Sequence, residues 1–524
     1  MQVIQKYRED ILATGLLITT VFIFFWPVIS GQVWIPRGGG DLVSFIYPMY
    51  RFAAHSLTSG EVPLWNPTLY AGAPFVSDNQ SGLFYPINLL LFFINPNFSY
   101  NAIQWLVIFH FIIAGLSMYF CLRLWRVEDA ILPLPALLGA ITFTFSDLFI
   151  THIGNLNLNA VISWLPLAVL CLHRALRAEE ERREKREENI ASGFIPMIPI
   201  NAVRWIIGGG LIVGVSTLAG HGQMTFMLGF FLALYGLVRA VVDWNGRYLL
   251  ILAGMGLIGI GSAAINLIPA ALQIQHTPRA GFDFAQSTNH SLPIRGLVNT
   301  LAPDFYGRGI LRFWGGWPRA EAGYLGVLPW VFGIAAFSTK RWREGLIWAG
   351  GAIFFLLLAL GGNSPIYELL FSELPIVPFQ VPARFVVLMA FCVAMLAAIG
   401  LDGLVKSGKV AGWQSNRLLS YWLLGATAVI ILIIIAIMGR GAGRLSQLSL
   451  TRMAQMQTAV ITFGIFAGLA WGLWATFVWS KMNRMWLAGT AVLLLAVDVI
   501  SLGRTVEIEP NNPTLGYPTD SPAL

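Results

Sequence analysis

Long apolar runs separated by short polar joints organise this chain. The runs fall at about 11–30, 102–122, 131–146, 158–173, 205–220, 224–240, 248–269, 323–338, 346–361, 385–404, 419–438, 457–479 and 485–502. A helix rises 1.5 Å per residue, so about 20 such residues cross the hydrocarbon of a bilayer. The pattern therefore predicts an all-α polytopic membrane protein with about thirteen transmembrane helices. Three longer connections, 31–101, 270–322 and 362–384, are rich in Pro, Gly, Trp and Arg. A fourth, 174–204, is charged. Long connections that are not of low complexity usually carry function.

Composition agrees with the pattern. The chain is 56% hydrophobic and 11% charged, with mean hydropathy +0.68, whereas soluble domains are roughly 25% charged. The net charge of +7 is spread over many loops, which argues against a nucleic-acid partner and for the positive-inside rule. With the N-terminus inside, all of Lys6, Lys185, Lys340, Lys406, Lys409 and Lys481 fall on the cytoplasmic side. The three long connections then face outward. Residues 1–502 read as one transmembrane domain and 503–524 as a short external tail. The stretch 11–30 lacks a small-residue cleavage site and reads as a retained anchor. Cys121, Cys171 and Cys392 form no C-x-x-C pair, so neither a disulfide framework nor a zinc site is expected. The run RAEEERREKREEN (177–189) places Glu179 before Arg183 and Glu181 before Lys185, as on an exposed helix. The small residues of GGGLIVG (208–214) and GMGLIGIG (254–261) read as helix-packing surfaces.

The candidate chemistry lies outside. Asp41 opens the polar stretch GGGDLVSFIYPMYRF just beyond the first span. A carboxylate against a membrane is costly and is kept for chemistry or for a pair. The alternatives are a helix cap or an ion pair with Arg37 or Arg51. The glycines before it lack the Lys-Ser/Thr of a phosphate loop. Glu321 in WPRAEAGYLGVLPW sits at the mouth of the eighth span, and Asp78 in PFVSDNQSG and Asp304 in LAPDFYG read as turn residues. His152 (SDLFITHIGNLNLN) and His221 (AGHGQMTF) occupy short external turns. Neither stands at zinc-protease spacing. The external basic residues are all arginine, among them Arg279 (HTPRAGF) and Arg384 (VPARF). Their planar forks suit phosphate oxygens.

The ordered set formed by the first loop, NAVISWLPLAVLCLHRAL, AGHGQMTF, IPAALQIQHTPRAGF with LVNTLAPDFYG, EAGYLGVLPW and LPIVPFQVPARFVVL resembles the YfhO-like bacterial membrane proteins. That family is similar to the GT-C glycosyltransferases. The resemblance implies an inverting transferase of the bacterial cytoplasmic (inner) membrane that takes a sugar from a polyprenyl-phosphate donor to an envelope polymer, glycolipid or protein on the external face. It implies that Asp41 is the essential acid, with Glu321, His221, Gln223, Arg279 and Arg384 around the substrates. Asp78 and His152 are further candidates for substrate contact. Asp41 would act as base or as ligand of a divalent cation, Mg or Mn. Relatives usually carry an external C-terminal domain, which is expected to be missing here. A lipid-linked saccharide transporter and a non-catalytic assembly protein are the competing readings. Transporters more often place polar groups at mid-membrane, whereas the polar weight here is in the loops.

Overall fold

The computed structural model describes residues 2–37, 39–69, 71–126, 128–188, 199–277, 283–307, 323–372, 380–407, 414–444, 450–479, 481–503 and 508–514. Most of these are helical, and the regular strands form one two-stranded ladder, in which Trp65 faces Pro74 and Asn66 faces Ala73. Twelve of the helices are long and apolar enough to cross a membrane. The chain is a multi-pass, all-α membrane protein, and its residues cluster into two compact units.

The first unit holds Met1–Trp26, Arg126–Thr151 and Phe282–Glu507. Its central helix is Val386–Ser407, whose span is buried along its whole length. Close packing explains the glycines there: a Cβ at Gly400 would lie 1.9 Å from the carbonyl oxygen of Phe332. The apolar stretch 323–338, expected as a thirteenth span, becomes only the shorter helix Leu328–Ser338. The helix covers about 16 Å, half of the hydrocarbon layer. The irregular residues before it carry the stretch along the rest of the central helix, since Gly323 lies against Val386 and Gly403 against Thr339. The residues before it are irregular because two buried carboxylates satisfy their backbone. Asp147 accepts from Gly323 N at 3.1 Å, and Asp498 accepts from Val327 N at 3.0 Å. The Tyr324 hydroxyl also donates to Asp498, and Asp147 N donates to Tyr324 O at 2.8 Å. Irregular backbone survives at membrane depth only where protein groups replace the lost helical bonds. Gly326, at φ +84°, cannot be exchanged, since a Cβ would lie 2.5 Å from Leu495.

A charge network pins the other end of this unit. Asp402, 1% exposed, accepts from Leu132 N at 2.8 Å and lies 2.9 Å from Lys406 and 3.5 Å from Arg341. Lys406 and Arg341 also both bind Asp129. Asp402 is in the central helix, Arg341 in the turn before Trp342–Ala359, and Asp129 in the connection before Pro133. Three segments distant in sequence are therefore tied by one closed set of charges.

The second unit holds Pro27–Trp125, His152–Gly281 and Ile508–Leu524. The two glycine runs meet here, as their composition suggests. Helices Ile200–Leu218 and Arg247–Ile274 approach until Cβ atoms at Gly210 and Gly259 would lie 2.6 Å from Ile258 and 2.7 Å from Val213. The charged run does continue the helix Leu165–Glu188, but one side of it turns inward. Glu179 is 1% exposed and takes a bidentate contact from Arg182 at 2.6 and 2.8 Å, with Arg247 at 3.6 Å. The expected Glu179–Arg183 pair is replaced, because Arg183 donates to the Asp243 carbonyl at 3.1 Å. Neighbouring helices supply better partners than the exposed face could.

Candidate functional site

The residues around Asp41 belong to the second unit. The approach to Asp41 is held from several sides. Trp34 and Glu509 exchange backbone bonds at 2.7 and 2.8 Å, and Ile35 N donates to Gln104 at 3.1 Å. The Tyr100 hydroxyl donates to Ile35 O at 2.5 Å. The Pro36 ring then lies against Gly154, where a Cβ would come within 2.7 Å of Cγ. Gly154 has no side chain to keep the two loops apart.

Asp41 stands before the wide helical turn Leu42–Ile46, which leads into the helix Tyr47–Thr58. It makes no side-chain cap bond there. Neither does it pair with Arg51, which donates to the Phe98 carbonyl at 3.2 Å. Its exposed carboxylate accepts through Oδ2 from Asn155 Nδ2 at 2.8 Å, and Oδ1 has no partner among the described residues. Asn155 in turn faces His152, with Oδ1 3.1 Å from Nδ1. The chemistry fixes the direction of this chain. A carboxylate only accepts, so the amide nitrogen must face Asp41 and the amide oxygen must face the histidine. Nδ1 of His152 therefore carries the proton. The backbone sets the spacing, since Asn155 N and Asn159 Nδ2 both donate to His152 O, at 2.9 and 3.0 Å.

A second knot lies two residues further on. Asn157 accepts from the Tyr50 hydroxyl at 2.9 Å and donates to Gln80 O at 2.5 Å and Gly220 O at 3.3 Å. Burial pushes the Tyr50 phenol well above its ordinary range, so it stays a donor. This knot joins the loop of Asp78 to the turn of His221. Asp78 has the turn role its sequence suggests, accepting from Gln80 N at 2.9 Å. His221 caps the helix Gly222–Val242 by accepting from Met224 N at 3.3 Å, and Gln223 is buried in its first turn.

Asp41, His152, Asp78, His221 and Gln223 thus share one unit, and direct bonds link Asp41 with His152 through Asn155. Arg384 belongs to the other unit, half-buried in the turn Pro382–Phe385 ahead of the central helix. Glu321 and Arg279 lie outside the described residues. Asn155, Asn157 and Asn159 were not expected as site residues. Their signal is the alternation in GNLNLN, since asparagine is a poor helix former and three of them open the helix Leu156–Ile162. Among the described residues no three His, Cys, Asp or Glu side chains gather to hold a metal ion.

Twelve span-length helices and a polar cluster built from loops and helix ends define a polytopic membrane protein. Residues 223–512 match the family described as bacterial membrane protein YfhO. The match covers more than half of the chain, and the chain belongs to that family. It begins after Asp41, His152 and His221. No curated protein matches the chain. Among solved structures the chain is similar to ArnT from Cupriavidus metallidurans, crystallised with undecaprenyl phosphate. The TM-score is 0.49 and the identity 12%, over 95% of this chain and 78% of that one.

Proposed function

We propose that this protein is a membrane glycosyltransferase that moves a sugar from a polyprenyl-phosphate donor to a cell-envelope acceptor on the external face. The observation that carries this reading is Asp41, an exposed carboxylate held by one oxygen and open at the other. Transfer from a lipid phosphate needs a base for the attacking hydroxyl. The phosphate leaves without help from an acid, so the two flanking carboxylates of a glycoside hydrolase are not required. Asp41 Oδ1 takes the hydroxyl proton as oxygen attacks the anomeric carbon from the face opposite the phosphate. The configuration is thereby inverted. Asn155 keeps the carboxylate aimed, and His152 keeps Asn155 aimed. Arg384, Arg279, Glu321, His221 and Gln223 are assigned to the phosphate, sugar and acceptor. A divalent cation, if used, would be held by Asp41 together with the substrate phosphate and would supply charge stabilisation to the leaving phosphate. The lysine asymmetry supports placing this face outside and the N-terminus in the cytoplasm.

The test is a proteoliposome assay with a panel of labelled polyprenyl-phosphate sugars and envelope acceptors. Label joined to an acceptor is the expected product. Label that crosses the bilayer with its phosphate bond intact makes the protein a transporter. Label that does neither makes it an assembly protein. Within the same assay, Asn155→Ala is expected to lower kcat by about 10- to 100-fold with little change in KM, since misplacing a catalytic group by an ångström has that effect. Equal loss in kcat and in donor binding would instead mean that Asn155 only supports the fold.

A further inference from the structure

A groove in the first unit has no part in the chemistry above. It is lined by Leu134, Met485, Trp486, Gly489, Thr490 and Leu493, with a volume of about 490 Å³. Met485, Gly489 and Leu493 are spaced by four, as are Trp486 and Thr490, so one face of the helix Arg484–Gly503 forms its floor. The trough runs roughly 12 Å along that helix. Gly489 opens it, since a Cβ there would meet nothing within 4 Å. Its surface is almost wholly carbon, because the Thr490 hydroxyl is turned back to Trp486 O at 3.0 Å.

The helix that floors the groove begins at basic residues. Lys481 is exposed and has no ion-pair partner among the described residues. Arg484 binds Leu404 O and, at 2.7 Å, Ser407 Oγ at the end of the central helix. Behind them stand Lys406 and Arg341 with Asp129 and Asp402. Lys481 and Arg484 thus come just before Met485, the first residue of the trough, and add two cations to a set in which Lys406 and Arg341 already face Asp129 and Asp402.

We propose that this groove is a binding site for an anionic phospholipid, one acyl chain lying against Gly489 and the phosphate meeting Lys481 and Arg484. The trough follows a single helix for about two turns, which suits one chain better than a packed partner helix. Within a bilayer apolar contact alone gives little preference, because the competing lipids are equally apolar. Selectivity must come from the basic residues at the start of the helix, where one lysine is worth about a fivefold change in affinity.

The purified full chain, exchanged against phosphatidylglycerol and phosphatidylethanolamine and examined by native mass spectrometry, tests this. The wild type is expected to retain one phosphatidylglycerol in preference to phosphatidylethanolamine. Lys481→Gln should cut that preference about fivefold. Gly489→Leu, which fills the trough, should remove the retained lipid, and Thr490→Leu is the alternative filler should the first variant fold poorly. Equal retention of the two lipids, or a phosphatidylglycerol that survives both fillers, overturns the proposal. So does displacement of phosphatidylglycerol from the groove by a polyprenyl phosphate, which would assign it another occupant. None of these outcomes depends on the transfer reaction.

Discussion

Asp41→Asn is expected to lower the rate of sugar transfer by about 10²- to 10⁴-fold, the usual worth of a positioned general base. Asparagine keeps the size of the side chain and can still accept from Asn155 through its own oxygen. The fold should therefore be unchanged. What is lost is the proton-accepting Oδ1, the atom that has no other partner among the described residues. Turnover with correctly inserted protein, alongside unchanged binding of a polyprenyl phosphate, is the measurement. Wild-type turnover in this variant would sink the assignment. An added divalent cation separates the two roles of Asp41: a strict requirement that the variant loses would point to metal ligation.

Asp402→Ala is expected to destabilise the first unit by about 3–5 kcal/mol, the usual consequence of removing one partner from a buried ion pair. Asp402 is almost fully buried and faces two cations, Lys406 and Arg341, and also the amide of Leu132. Its loss leaves those groups facing each other with, among the described residues, only Asp129, whose side chain is 57% exposed, to balance them. Thermal unfolding in detergent reads the effect, and a shift no larger than that of an exposed pair would refute it. Acid should weaken the same network through Asp129. Partial burial raises its carboxyl, but Lys406 and Arg341 outweigh this and hold it down at about 2 instead of 3.8. A carboxylate with a lowered folded value contributes stability above its unfolded value, and that contribution is lost as pH falls through the folded one. The loss belongs between about pH 4 and pH 2, and solvent screening keeps it small. Asp129→Asn should flatten it.

Of the candidate cluster, the sequence marks one end only. Asp41 stands out because a lone carboxylate follows an apolar span. Its partner did not stand out, because Asn155 lies 114 residues away and asparagine carries no charge to mark it. The capping alternative for Asp41 was equally consistent with the residue type, and the absence of a side-chain cap bond, with the carboxylate turned to Asn155, decides against it. His152 and His221 look alike as turn histidines. The fold gives one to Asn155 and the other to a helix end.

Apolar periodicity by itself determined the class of the protein and twelve of its spans. It did so because a bilayer demands length and carbon in every crossing helix. It could not show that the stretch 323–338 begins irregular and is helical only from Leu328. That outcome depends on Asp147 and Asp498, which reach its backbone from distant helices and make an irregular segment affordable inside the membrane unit. Nor could it show that Glu179 is buried while its neighbours are not. Burial and partnership of polar groups are properties of pairs, and only the tertiary structure brings the members of each pair together.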